Sequence, residues 1–204
     1  MRALKTMAAA VTLALVPTLA LAGPVHDLAR AGDEMMVKMI LGSGVSVNER
    51  DETGETPLLA AALAGQTTIV DLLLQRRADA TLRNDRGMTA LHAAAFAGDD
   101  NAVAQFVVGR AANTIDIDDH DNKFGVTALI IAAEENHPGV VAFLIASGAD
   151  LEITERHGYS ALTRAGYHGH NQTIALLLKA GAACQEGDPA WLKDCAARKA
   201  ALGL

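Results

Sequence analysis

Asp51–Gly65, DETGETPLLAAALAG, is the stretch from which the rest of the chain can be read. A polar turn closes at Gly54, then comes a helix start, Thr56-Pro57-Leu58, a small-residue run, Ala60-Ala61-Ala62, and a final Gly65. Pro57 suits a first helical turn, where its missing N–H has no intrahelical partner to lose. The alanines let a neighbouring backbone come close, and Gly65 takes the left-handed conformation that stops a helix. The stretch recurs as RGMTALHAAAFAG at 86–98, FGVTALIIAAEEN at 124–136 and HGYSALTRAGYHG at 157–169. The leading glycines, Gly54, Gly87, Gly125 and Gly158, are spaced 33, 38 and 33. Closing residues Gly32, Gly65, Gly98, Asn136 and Gly169 keep the same phase, and Asn is the other residue type that tolerates left-handed backbone.

A period of 33 around a G-x-T-P-L-H-like core resembles the ankyrin-repeat family, and several copies in phase make the match specific. The resemblance implies an all-α solenoid of about five helix-turn-helix repeats with hairpin fingers, at about 23–50, 51–83, 84–121, 122–154 and 155–187. Counting 33 residues back from Pro57 reaches Pro24, so residues 24–29 read as a truncated first helix. Asp33–Leu41 reads as its partner, with Met36, Met39 and Ile40 as the buried stripe. In repeat two the outer helix falls near 68–76, where Ile69, Val70 and Leu72-Leu73-Leu74 are apolar at helical spacing. Leu59, Ile130 and Thr163 depart from the family pattern at the histidine position that His26 and His92 match. Arg77 stands where the family prefers Gly, which would cost on the order of 1 kcal/mol if its backbone is left-handed.

The ends read differently. Arg2 and Lys5, the apolar run Met7–Val16, the break at Pro17 and Thr18, and Ala20-Leu21-Ala22 before Gly23 have the layout of a secretory signal peptide over 1–22. A membrane anchor is the competing reading, but the apolar run is shorter than the roughly 20 residues a spanning helix needs. Cleavage predicts a periplasmic protein without membrane insertion, and a monomer on its own. It removes Arg2 and Lys5 and no acidic residue, taking the net charge from −7 to −9. Such a balance disfavours nucleic acid, whose phosphates require clustered Lys and Arg. At the other end, Asp188-Pro189 starts a capping helix, 188–204, with Asp188 as N-cap. Trp191, Leu192 and Ala196 are placed against repeat five, and Lys193, Arg198 and Lys199 toward water. Cys184 and Cys195, eleven positions apart, read as a disulfide in an oxidising compartment, with two free thiols or a metal pair as the alternatives.

No catalytic motif emerges: there is no His-Glu-x-x-His, nucleophile elbow or phosphate-binding glycine loop. The expectation is a non-enzyme with no cofactor and no metal. Asp116, Asp118, Asp119 and His120, with Asp121, lie in the 114–124 loop that carries the five-residue insertion, and the aspartates carry the oxygen ligands Ca²⁺ takes. Their spacing is not that of an EF-hand, and a solvated acidic fingertip is the plainer reading. His137 and His170 follow the helix-closing residues, where the ankyrin family commonly has a structural histidine. His157, His168 and His170 cluster near the repeat-five tip, where titration near 6.5 would make binding pH-sensitive.

The ankyrin resemblance implies protein binding by the fingertips and the concave face of the inner helices. In register, repeat two supplies Arg50, Glu52, Glu55 and Leu63, and repeat three Arg83, Arg86, Met88 and Phe96. Repeat four supplies Lys123, Phe124 and Glu134, and repeat five Arg156, His157, Tyr159, Tyr167 and His168. Aromatics are 3% of the chain, yet four of them fall on this face, and aromatics and arginines dominate interface energies. The function expected is stoichiometric binding of another protein, an inhibitor or immunity protein for a periplasm-acting enzyme or toxin. Divalent-metal-dependent binding through the 116–121 loop and an envelope or oxidative-stress protection role are the alternatives.

Overall fold

Thr56, Thr89, Thr127 and Ser160 each hold extended backbone immediately ahead of a short helix. The hydroxyls of Thr56 and Thr127 accept from the N–H of Leu59 and Ile130, groups that the first turn leaves without a carbonyl. The computed structural model describes residues 22–108, 115–120, 122–185, 187 and 189–204. Within them the chain forms helix pairs: α1 (Ala22–Ala31) with α2 (Glu34–Gly42), α3 (Pro57–Leu63) with α4 (Thr67–Gln75), and α5 (Ala90–Ala97) with α6 (Asp100–Val108). They continue with α7 (Ala128–Glu134) and α8 (Pro138–Ala146), α9 (Ala161–Tyr167) and α10 (Asn171–Lys179), and a closing α11 (Pro189–Ala201). There is no strand among the described residues. The expected signal peptide, apart from Ala22, lies outside the described residues, as do Asp121 and the capping Asp188.

The odd-numbered helices stack as an inner row and the even-numbered ones as an outer row, each touching its neighbour in the next repeat. Alanine makes the inner row possible. Ala60, Ala61, Ala62, Ala94, Ala95, Ala132 and Ala133 are all fully buried, so consecutive backbones close on one another with little side chain between. Volume comes from the outer row and the helix starts, through Ile69, Leu73, Phe106, Leu129, Leu144 and Leu177. Each such burial contributes about 1.5–3 kcal/mol before entropy is counted. Asn136 and Arg77 are the non-Gly residues with positive φ among those described, at 59° and 63°, which the repeat register predicts for Asn136 and leaves open for Arg77.

Four expectations need correction. In α2 the buried residues are Val37 and Ile40, whereas Met39 is 58% exposed. With no repeat preceding α2 among the described residues, its stripe is narrower than in the interior repeats. In α11, Ala196 is exposed and Cys195 takes the buried place. Arg198 does not simply face water, because its guanidinium bonds Asp194 and reaches Asn171 Oδ1 on α10, both at 2.6 Å. Asp119 is not part of a solvated tip: it is buried and ion-paired with Arg83 at 3.0 Å.

The cap rests on one notch. Gly166 occupies the position that Ala62, Ala95 and Ala133 hold in other repeats, and a Cβ there would sit 2.2 Å from the Trp191 ring. The absence of that one methyl lets the Trp191 ring close on α9, where it is 7% exposed. The Cys184–Cys195 disulfide, spanning a Cα–Cα distance of 6.0 Å, ties α11 to the segment that follows α10.

Candidate concave binding surface

Each finger is set by one polar side chain. Asp51 Oδ1 accepts from the N–H groups of Thr53 and Glu55, Asn84 Oδ1 from Arg86 and Met88, and Asn122 Oδ1 from Phe124 and Val126, at 2.8–3.2 Å. Glu155 holds the same register position, and its Oε2 accepts from His157 N–H at 2.9 Å. Successive fingers are then linked by single backbone bonds: Asp85 N–H to Thr53 O, Lys123 N–H to Arg86 O, and Arg156 N–H to Phe124 O. This ladder fixes the side chains of neighbouring fingertips relative to one another.

A second set of bonds holds the inner-helix ends. After Gly65, Asn136 and Gly169 the next residue reaches back one repeat to the carbonyl two places before the previous closing residue, whereas Asp99, after Gly98, accepts from the Thr67 hydroxyl instead. Gln66 Nε2 donates to Arg30 O at 3.1 Å, His137 Nε2 to Phe96 O at 2.9 Å, and His170 Nε2 to Glu134 O at 2.9 Å. The carbonyl partners require the proton on Nε2 of both histidines. Their role is structural, as the repeat pattern implied, and it bears directly on the surface because it anchors Phe96 and Glu134. Gly98 is needed twice over here, for its left-handed backbone and because a Cβ would meet the His137 ring at 2.5 Å.

Between the fingers and the inner helices lies a cleft of about 450 Å³. Phe96 and Phe124 stand along it, 49% and 51% exposed, over Val126 and Ile131. Met88, Lys123, Glu134, Glu135, Glu155, Arg156, His157 and Arg164 complete the lining. Met88 and Phe96 also face a second groove of about 280 Å³, with Glu55, Leu59, Leu63, Asn84, Arg86, His92 and Ala93. These two side chains therefore form the partition of one continuous concave surface. Half-exposed phenylalanines on ordered helices and fingers are what a partner's side chain buries at low entropic cost.

Charge inside the cleft is largely self-cancelling. Arg164 reaches Glu155 at 3.1 Å and Glu134 at 3.5 Å, and its guanidinium lies 5.5 Å from the Tyr159 ring centroid. His157 Nδ1 lies 2.8 Å from Glu155 Oε2, and His168 Nε2 lies 3.8 Å from Glu134. Burial alone would raise the Glu155 carboxyl, but the His157 N–H and ring and the Arg164 charge outweigh it and hold the group below its ordinary value. Beneath the second groove, burial pushes the His92 imidazole below its ordinary value. Its Nε2 faces the carbonyls of Asp119 and Val126 and its Nδ1 faces the Thr89 N–H, an arrangement that only the neutral ring satisfies.

The structure distributes the residues anticipated from the repeat register unevenly. Met88, Phe96, Lys123, Phe124, Glu134, Arg156 and His157 converge on the main cleft. Glu55, Leu63 and Arg86 line the second groove, although Glu55 is paired with Arg30 at 2.7 Å. Tyr159 and Tyr167 pack edge to face at 5.4 Å and, with His168, line neither hollow. Arg50 donates to the Arg83 carbonyl and Arg83 pairs with Asp119, so both guanidinia are engaged between fingers, while Glu52 is an exposed tip. Ile131, Glu155 and Arg164 were not anticipated. Ile131 and Arg164 share the register of Ala60 and Ala93, so a large residue where other repeats have alanine was the available signal. The acidic finger is internally used as well: Asp116 Oδ1 accepts from Asp118 N–H and Asp118 Oδ1 from Asp150 N–H. Among the described residues no group of three or more His, Cys, Asp or Glu converges as a metal site would, and no helix is long and apolar enough to cross a membrane.

Comparison with known proteins agrees with this geometry. Residues 25–119 and 103–188 match the family model for ankyrin repeats in three copies. The mouse protein named Ankyrin repeat and SAM domain-containing protein 6 is 37% identical over 62 residues, 30% of this chain and 7% of that relative. The chain thus corresponds to a small piece of that relative's length. With paired helices, laddered fingers and a family match over most of its length, this chain belongs to the ankyrin-repeat family.

Proposed function

We propose that this chain is a non-catalytic periplasmic binder that captures one protein partner against the concave face of repeats three to five. Ankyrin repeats are protein-interaction modules, and the observation that carries the finer reading is the main cleft. Phe96 and Phe124 stay half exposed above Ile131, although the fold has ample apolar volume elsewhere. An aromatic pair left open by ordered backbone is how an interface hot spot is presented before binding. The leader-like sequence at 1–22 supports export, and a small anionic array suits a stoichiometric inhibitor or immunity protein that covers an enzyme or toxin.

The test is affinity capture from periplasmic extract using residues 23–204, beside a variant carrying Phe96→Ala, Phe124→Ala and Tyr167→Ala. One protein retained by the parent and lost by the variant is the expected result. A partner held equally by both would move the binding surface elsewhere.

A further inference from the structure

The concave surface is not charged like the rest of the molecule, which is anionic at −7 overall. Two places before each leading glycine the fingers carry Glu52, Asp85, Lys123 and Arg156, so the row turns from acidic to basic along the array. The finger ladder holds the last three side by side through their own N–H groups. Of the four, only Lys123 and Arg156 line the main cleft.

Counted over the whole lining, Lys123, Arg156 and Arg164 face Glu134, Glu135 and Glu155, so the cleft is formally balanced and its cationic character is confined to the finger row. Arg164 is shared between Glu155 and Glu134, and His157 also faces Glu155. Among the described residues, Lys123 and Arg156 make no ion pair and are exposed, and neither does Arg86 on the adjoining groove. Against them stand Glu135, at the C-terminal end of α7, and the one carboxylate charge that Arg164 leaves uncompensated on Glu134 and Glu155. Between these cations, Phe96 and Phe124 enclose an apolar slot. The whole cleft around it, about 450 Å³, is in the range that holds a group of small-molecule size, one large side chain with its neighbours.

We propose that the cleft takes an acidic segment of the partner protein, with carboxylates on Lys123, Arg156 and Arg86 and one large apolar side chain between Phe96 and Phe124. This inference rests on reading the concave face as a protein-binding surface, and adds the chemistry of the bound segment. The three cations lie on consecutive fingers, the first of which also carries Asp85, and the finger before it carries Glu52. A short acidic stretch stops short of Glu52, whereas a nucleic-acid strand would carry phosphates on to it, into like charge. Charge of this kind governs orientation and encounter, and the aromatic slot supplies the anchor.

The probe is a fluorescein-labelled nonapeptide, Ala-Asp-Glu-Asp-Trp-Glu-Asp-Glu-Ala, titrated by anisotropy. It is compared with a version carrying Lys at each acidic position, a version with Ala for Trp, and a labelled ten-nucleotide thymidine oligomer. The acidic Trp peptide should bind at least roughly tenfold tighter than the other three, with affinity falling as salt rises. Lys123→Glu with Arg156→Glu should weaken it roughly tenfold, since each change turns an attraction into a repulsion. Phe96→Ala with Phe124→Ala should weaken it by a similar factor. All four residues are exposed, and circular dichroism verifies that the variants stay folded.

Equal or tighter binding of the lysine peptide or the thymidine oligomer would overturn the inference. So would acidic-peptide binding that ignores the charge reversal. If affinity capture depends on Phe96 and Phe124 but not on Lys123 and Arg156, the protein-binding reading stands and the acidic partner does not. If neither capture nor peptide binding responds to any of the four, both fall.

Discussion

Trp191 and Phe96 are both large aromatic residues next to the inner-helix row, and they end up 7% and 49% exposed. The difference lies in what faces them. Trp191 meets Gly166, where the inner helix lacks the methyl group that alanine supplies in other repeats, and occupies the space a Cβ would take. Phe96 projects from the end of α5 into a hollow left between finger and helix, with its own carbonyl bolted by His137. One aromatic ends the solenoid and the other leaves it open. A repeat array needs both devices, because each repeat coheres only with its neighbours: the ends require a lid and the middle offers a surface.

Breaking the closed end should be the costlier change. Trp191→Ala is expected to lower the unfolding free energy by about 3–5 kcal/mol, read from urea denaturation. A loss below about 1 kcal/mol would mean that α11 is a passenger and not a lid. Next in size is the tie on the same helix. Replacing Cys184 and Cys195 by serine should remove about 3 kcal/mol in the chain-entropy picture, and a reducing agent should do the same to the parent but nothing further to the variant.

A smaller and regional effect comes from pH. The fold favours neutral His92, whose value lies below the ordinary 6.5, so its stabilisation is complete above that value. It is lost as pH falls below 6.5, because the unfolded chain takes up the proton first. Hydrogen-exchange protection of α5 and α7 should therefore drop between about pH 7.5 and about pH 5.5 while α11 keeps its own. His92→Leu, the residue type that Leu59 already supplies at this register, should abolish that slope at a lower baseline. Equal losses in both regions would count against His92 as the source. Smallest of all should be the open aromatics: Phe96→Ala with Phe124→Ala is expected to shift stability by no more than about 0.5 kcal/mol. A larger loss in a thermal melt would make them core residues, no different in kind from Trp191.

Much of this fold could be read along the chain because it is local and repeated. Thr-Pro or Thr-Ala starts, alanine runs and left-handed closers fall at one period, so register alone puts Asn136 in left-handed backbone, and it marks Arg77 as the position where that question arises. The surface was legible to the extent that register decides exposure, which is why Phe96, Phe124, Arg86, Lys123 and Arg156 were found. Residues whose fate depends on another repeat were not. Asp119 looked like one carboxylate of an acidic tip until Arg83 of the previous finger drew it in, and Arg198 looked like a solvated cation until Asn171 lay within reach. Met39 was assigned to a buried stripe by helical spacing, but burial also requires a neighbour, and α2 packs on α4 alone in the outer row.

The sequence by itself determined the period, the helix pairs, the caps and the positions that face outward, since each of these follows from conformational preferences within about ten residues. Only the tertiary structure decided which outward positions converge. The 450 Å³ cleft exists because the 124–156 ladder, the His137 bolt and Ile131 in an alanine register come together from three repeats. No local rule carries that information, because it is a property of the spacing between neighbours.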